Sequence, residues 1–107
     1  VTEIFTPARR VALMDDLVQA GDYSGPHQIE IKGRPCRVIY FLLPVHEGSG
    51  LFDRPTQGSG LHAVYEPPWT FTDYPDGSVG VQASIGCGQQ PYYWHGYLDP
   101  HNTWRQV

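Results

Sequence analysis

The sequence predicts an α+β domain that is mostly β: one N-terminal helix packed on an antiparallel sheet of about six short strands, which could roll into a half-open barrel. Three observations predict it. The 107 residues include 12 glycines and 10 prolines with no repeat period, the signature of many turns between short segments. Apolar residues recur at helical spacing only near the N-terminus. From Gln28 onward the spacing is two, as strands require. A chain of this length is expected to form one domain.

The helix is expected over residues 6–21. Thr6 suits the N-cap and Pro7 the first helical position, where a missing N–H costs nothing. Val11, Met14 and Val18, flanked by Leu17, form the apolar stripe, and Gly21 is a fitting stop. Arg9 and Arg10 sit badly, near the positive end of the helix dipole. Such a helix would depend on packing.

Residues 28–32 alternate, residues 33–35 read as a turn, and "CRVIYFLL" (36–43) reads as a central strand buried on both faces. The glycine- and proline-rich stretch 44–60 reads as a long surface loop, with Leu51 and Phe52 as an apolar anchor. Residues 61–66 form a short strand, broken by Pro67-Pro68. Residues 69–74 and 78–85 form a hairpin around Pro75-Asp76-Gly77, with Val79, Val81, Ala83 and Ile85 on its apolar face. Residues 92–98 and 103–107 form the last hairpin. A four-residue loop at 99–102 pairs Tyr97 with Trp104 and Leu98 with Thr103.

Composition excludes some functions. Hydrophobic residues make up 40% of the chain, which argues for a folded globule. Charged residues make up 17%, below the usual figure of about 25%. Seven basic against 11 acidic residues give a net charge of −4, which disfavours nucleic acid as partner. A local patch of Arg9, Arg10, Arg34 and Arg37 could offset this. No apolar run approaches the roughly 20 residues of a membrane span, and no signal peptide is read at the N-terminus. Two cysteines, Cys36 and Cys87, do not make a disulfide framework, so a reduced cytoplasmic setting is expected.

Residues 84–100, "SIGCGQQPYYWHGYLDP", concentrate the unusual side chains. Three chemistries compete for them. A zinc site would draw on Cys36, Cys87, His95 and His101, but no C-x-x-C or H-x-x-x-H pair is present. No metal and no cofactor is therefore expected. A nucleophilic Cys87 would need His95 as base and Asp99 behind it, with no helix N-terminus to lower the thiol pKa. A small metal-binding or cysteine-dependent enzyme centred on Cys87 and His95 is the alternative reading.

The aromatic reading is preferred. Nine of the 14 aromatic residues fall between Tyr65 and Trp104. In the register given above, one face of the last hairpin carries Tyr92, Trp94, Leu98 and Val107. The other carries Tyr93, His95, Tyr97 and Trp104. The first face holds the aliphatics and goes to the core. The second is then an exposed aromatic strip of the composition that interfaces favour. The competing view is that these rings simply fill the core of a short chain. A three-residue loop would change the register and undo the assignment. The expected function is non-enzymatic binding of a macromolecule through Tyr93, His95, Tyr97 and Trp104. The expected partner is a protein, with homodimerisation through the same strip as the alternative.

The C-terminal third, "DGSVGVQASIGCG", "YYWHGYL" and "TWRQV", resembles the ending of a family of small uncharacterised domains frequent in phages and prophages. Asp76, Gly77, Ser78, Ser84, Ile85, Trp94, His95, Gly96 and Trp104 carry the resemblance. Many of these relatives have a cysteine-rich knuckle upstream, which this chain lacks, so no zinc role carries over. The resemblance implies a phage or prophage accessory protein acting in the cytoplasm of a bacterial host, and no activity.

Overall fold

A computed structural model describes residues 3–44, 61–87 and 94–107. The expected 44–60 loop, with its Leu51–Phe52 anchor, lies outside the described residues except for Pro44. The same holds for Tyr92 and Tyr93. The described chain forms ten strands: β1 (Ile4–Pro7), β2 (Arg9–Val11), β3 (Asp22–Ile31), β4 (Arg34–Leu42), β5 (Leu61–Glu66), β6 (Thr70–Asp73), β7 (Val79–Gln82), β8 (Ile85–Cys87), β9 (Trp94–Asp99) and β10 (Thr103–Gln106). They make three sheets, ordered β1-β10-β9-β8, β2-β3-β4-β5 and β6-β7, in place of one sheet of about six strands.

The expected N-terminal helix is absent. Thr6 and Pro7 end β1, which pairs with β10, and Arg9 opens β2, which pairs with β3 in parallel. The only helical feature among the described residues is a single 3-10 turn at Met14–Asp16. Met14 and Val18 are 42% and 74% exposed, so the apolar stripe has nothing to pack on. The reason lies in Asp22, which is buried. Arg9 grips its carboxylate with Nε and Nη2 at 3.0 and 2.7 Å. The same carboxylate accepts the main-chain N–H groups of Val18 and Gln19 at 3.0 and 2.9 Å. One carboxylate thus ties β2, the connecting loop and β3 together, and satisfies donors that a helix would have used internally. Burial pushes the Asp22 pKa up, but the bonds from Arg9, Gln19 and Val18 outweigh it and hold the carboxyl below its ordinary value.

Between β1 and β2 the chain crosses from one sheet to another at Ala8, whose N–H donates to the Asn102 carbonyl at 2.8 Å. The crossing knits two sheets along one edge. The β3–β4 hairpin turns at Lys32-Gly33, both at positive φ. β4 is one of the two interior strands of its sheet, in keeping with the apolar run 36–43, with Val38, Ile39 and Phe41 fully buried. The β6–β7 hairpin forms around the expected turn, with Asp73 opposite Val79, but its second strand ends at Gln82, so Ala83, expected on the apolar face, is exposed and Ile85 belongs to β8. At Ala83, which adopts a left-handed φ of 75°, the line of the chain bends. β7 before the bend pairs with β6, and β8 after it pairs with β9.

The three sheets close on one core of Tyr23, Ile39, Phe41, Val64, Phe71, Val79, Val81, Ile85, Trp94, Leu98 and Trp104, with Leu43 at its margin. Its centre is aromatic. The Trp104 ring meets Phe41 at 5.1 Å, Trp94 edge-on at 5.6 Å and Tyr23 edge-on at 6.4 Å between centroids. Large rings give a short chain much buried area per residue. Among the described residues no helix is long and apolar enough to cross a membrane.

Candidate functional site

The C-terminal hairpin decides what faces outward. β9 and β10 pair Asp99 with Thr103, Leu98 with Trp104 and Tyr97 with Arg105. The loop therefore has three residues, Pro100, His101 and Asn102, and the expected pairing of Tyr97 with Trp104 is corrected by one position. Because side chains alternate with a period of two, that step moves Trp104 to the opposite face. Trp104 is 1% exposed, beside Trp94 and Leu98, and its Nε1 donates to the Gly21 carbonyl at 2.8 Å. It is a core residue and leaves the proposed binding strip. Val107, expected in the core, is 42% exposed.

Tertiary contacts hold the tight loop. His101 and Asn102 both take left-handed φ, 66° and 53°. The Asn102 side-chain oxygen accepts the buried Tyr23 hydroxyl at 2.6 Å, and Tyr23 in turn accepts the Val79 N–H at 3.3 Å. His101 binds the neighbouring turn. Its N–H donates to Ser78 Oγ at 2.9 Å, and its ring Nδ1 lies 2.6 Å from Asp76 Oδ2. Asp76 also accepts the Ser78 hydroxyl and N–H at 2.6 and 2.9 Å. Bonds from the Ser78 hydroxyl and amide, and then from His101, hold the Asp76 carboxyl at about 2, below its ordinary value. This Ser–His–Asp set is a latch between two turns. The buried Ser78 hydroxyl points at the carboxylate, where a nucleophile would need the imidazole.

The outer face of the hairpin carries His95, Tyr97, Asp99, Thr103 and Arg105. The Arg105 guanidinium lies over the Tyr97 ring, 4.3 Å from its centroid. It also bonds Asp99 through Nε at 2.8 Å and Glu3 through Nη1 at 2.8 Å. Those two carboxylates raise the Arg105 pKa, so it stays charged.

Next to this cluster lies a groove of about 250 Å³. It follows the seam between β7 and β9, which lie side by side without a strand ladder, because the bend at Ala83 carries β8 to β9 and leaves β7 with β6. One wall is Tyr74, whose ring lies over Gly80: a Cβ there would come within 2.9 Å of it. The other wall is Tyr97 with Arg105, and Gln82, Asp99 and Pro100 complete the rim. The latch between Asp76 and His101 joins the two turns beyond its end.

Of the four residues predicted to bind, the structure brings Tyr97 to the groove. It places His95, half-buried, two positions along the same face. It puts Trp104 in the core, and Tyr93 lies outside the described residues. Tyr74, Gln82 and Arg105 were missed. Only the three-residue loop, which sets Arg105 opposite Tyr97, could have signalled the last of them.

For the alternative centre on Cys87 and His95, the structure gives the backbone register. The β8–β9 register sets Cys87 opposite Trp94 and Gly86 opposite His95. Asp99, the third member, is held by Arg105. Cys36 lies in β4 opposite Ile29, and the His101 ring is on Asp76. Among the described residues no three His, Cys, Asp or Glu side chains converge as metal ligands. One further pair has nucleophile geometry: Ser24 Oγ is 2.6 Å from His27 Nε2, across a bulge in β3. Ser24 is fully buried and also lies 3.2 Å from the Ala12 carbonyl, so no substrate reaches it.

Neither the family models, the curated proteins nor the solved structures contain a match to this chain.

Proposed function

We propose that this chain is a non-enzymatic recognition domain, of the phage or prophage accessory kind that its C-terminal third resembles, and that it binds a macromolecular partner at the groove between Tyr74 and Tyr97. The observation that carries this reading is the pairing of two aromatic walls and a polar rim over a buried floor. Leu98 and Val81 beneath the seam are buried in the core, so the groove needs no ordering on binding. Tyrosine at such a rim combines an apolar ring with a polar tip, the chemistry that interfaces enrich.

The test is capture from a bacterial lysate with wild-type, Tyr97→Ala and Tyr74→Ala chains of matched melting temperature. A specific partner retained by the wild type and lost from both variants supports the reading. Equal retention by all three sinks it.

A further inference from the structure

We infer that the groove is specific for an uncharged, hydroxyl-rich ring, one residue of a neutral glycan. The inference rests on the recognition reading above and names the ligand class of the same site. Charge decides against the ionic alternatives. The one guanidinium at the groove, Arg105, is already neutralised by Asp99 and Glu3, so a carboxylate, sulfate or phosphate that reaches its remaining N–H groups meets the repulsion of two carboxylates. An incoming cation meets the opposite obstacle. Arg105 covers the Tyr97 ring at 4.3 Å, the position a cation would seek, and repels a second positive charge. The net charge of −4 adds to the barrier against polyanions such as nucleic acid.

What the groove offers is suited to hydroxyls. Asp99 uses one bond at 2.8 Å and a long one at 3.4 Å to Arg105, and a carboxylate has about four acceptor sites, so sites remain for O–H donors. Gln82 is exposed at the rim and brings both a donor pair and an acceptor. The two tyrosine hydroxyls both donate and accept. A sugar ring presents adjacent hydroxyls that do the same, with an apolar C–H face to lie against a tyrosine. The volume, about 250 Å³, lies below the roughly 300–1,000 Å³ of sites for drug-sized ligands and suits a single ring.

The experiment has two stages with the full chain. A printed panel of neutral, sialylated and sulfated oligosaccharides is probed first. The best neutral glycan, an uncharged peptide rich in Asn and Gln, and a thymidine oligonucleotide are then titrated into isotope-labelled protein by NMR. We expect the neutral glycan to shift the amide resonances of Gln82, Tyr97 and Leu98, with a Kd on the order of millimolar. Acidic glycans should bind about tenfold more weakly or worse, and Tyr97→Ala and Gln82→Ala should each weaken binding by about tenfold while the chain stays folded, with the melting temperature lowered by no more than several degrees. Preference for sulfated or sialylated glycans, or for the oligonucleotide, overturns the assignment, as does a response away from the groove. If the peptide shifts the groove and no glycan does, the carbohydrate assignment is wrong and the recognition reading stands. If no probe shifts it and Tyr97→Ala keeps its captured partner, both fall.

Discussion

The two faces of the β9–β10 hairpin share one backbone and differ in almost everything else. The inner face carries Trp94, Leu98 and Trp104, each at most 1% exposed, in contact with rings from the opposing sheet. The outer face carries Tyr97 under a guanidinium, with Asp99 and Glu3 beside it, Glu3 exposed and the others half-buried. Aromatic residues stand on both, so composition does not separate them. What separates them is where the rings go, into the core or to the rim of a groove. Trp104 spends its one donor on the Gly21 carbonyl, whereas Tyr97 keeps its hydroxyl at a groove.

The comparison breaks most severely at Gly96. The Trp94 ring lies across it, and a Cβ there would fall 2.3 Å from the Arg105 carbonyl and 2.9 Å from the ring. Gly96→Val is expected to prevent the hairpin from pairing, read as loss of the cooperative melt. Trp104→Ala should follow, at about 3–5 kcal/mol by denaturant melts, because a large ring at the core centre is removed. A small effect from Trp104→Ala would show that the inner face is not the structural one.

A finer cut compares the two tryptophans. Among the described residues, Trp94 Nε1 is buried with no hydrogen-bond partner, whereas Trp104 Nε1 has one at 2.8 Å. Trp104→Phe leaves the Gly21 carbonyl unpaired, an added cost of about 1–3 kcal/mol that Trp94→Phe does not incur. Equal melting temperatures for the two phenylalanine variants would contradict this assignment of donors.

Acid tests the polar ties around the core. Asp22 and Asp76 both have folded pKa values below their ordinary ones, Asp76 at about 2. Depressed carboxylates contribute stability that is fully present above the unfolded pKa and is lost as pH falls through the folded value. For Asp76 that window runs from 3.8 down to about 2. The melting temperature should fall across it, and Asp76→Asn should be less stable than wild type at neutral pH, with a shallower fall. A parallel fall in both would remove Asp76 from the account.

The smallest folding effect belongs to the outer face. Tyr97→Ala should cost no more than about 1 kcal/mol, the scale of an exposed cation–π contact, while abolishing partner capture. Destabilisation as large as that of Trp104→Ala would make the outer face structural and the groove incidental.

The sequence by itself determined several of the strands and turns from residue 28 onward. The central strand at 36–43, the short strand at 61–66 and the turn at 75–77 follow from local alternation and turn chemistry, both of which act over a few residues. It also located the aromatic hairpin. What only the tertiary structure decided was the state of the N-terminal segment and the register of that hairpin. Residues 6–21 have helical spacing, yet β1 pairs with a strand nearly a hundred residues away and Asp22 takes up the donors of the loop. The hairpin loop is three residues rather than four because Tyr23, Ser78 and Asp76, all distant in sequence, hold His101 and Asn102 in left-handed conformations. A register has no local signature when both faces are aromatic. Long-range bonds chose it, and that one-residue step placed Trp104 in the core and Arg105 over Tyr97.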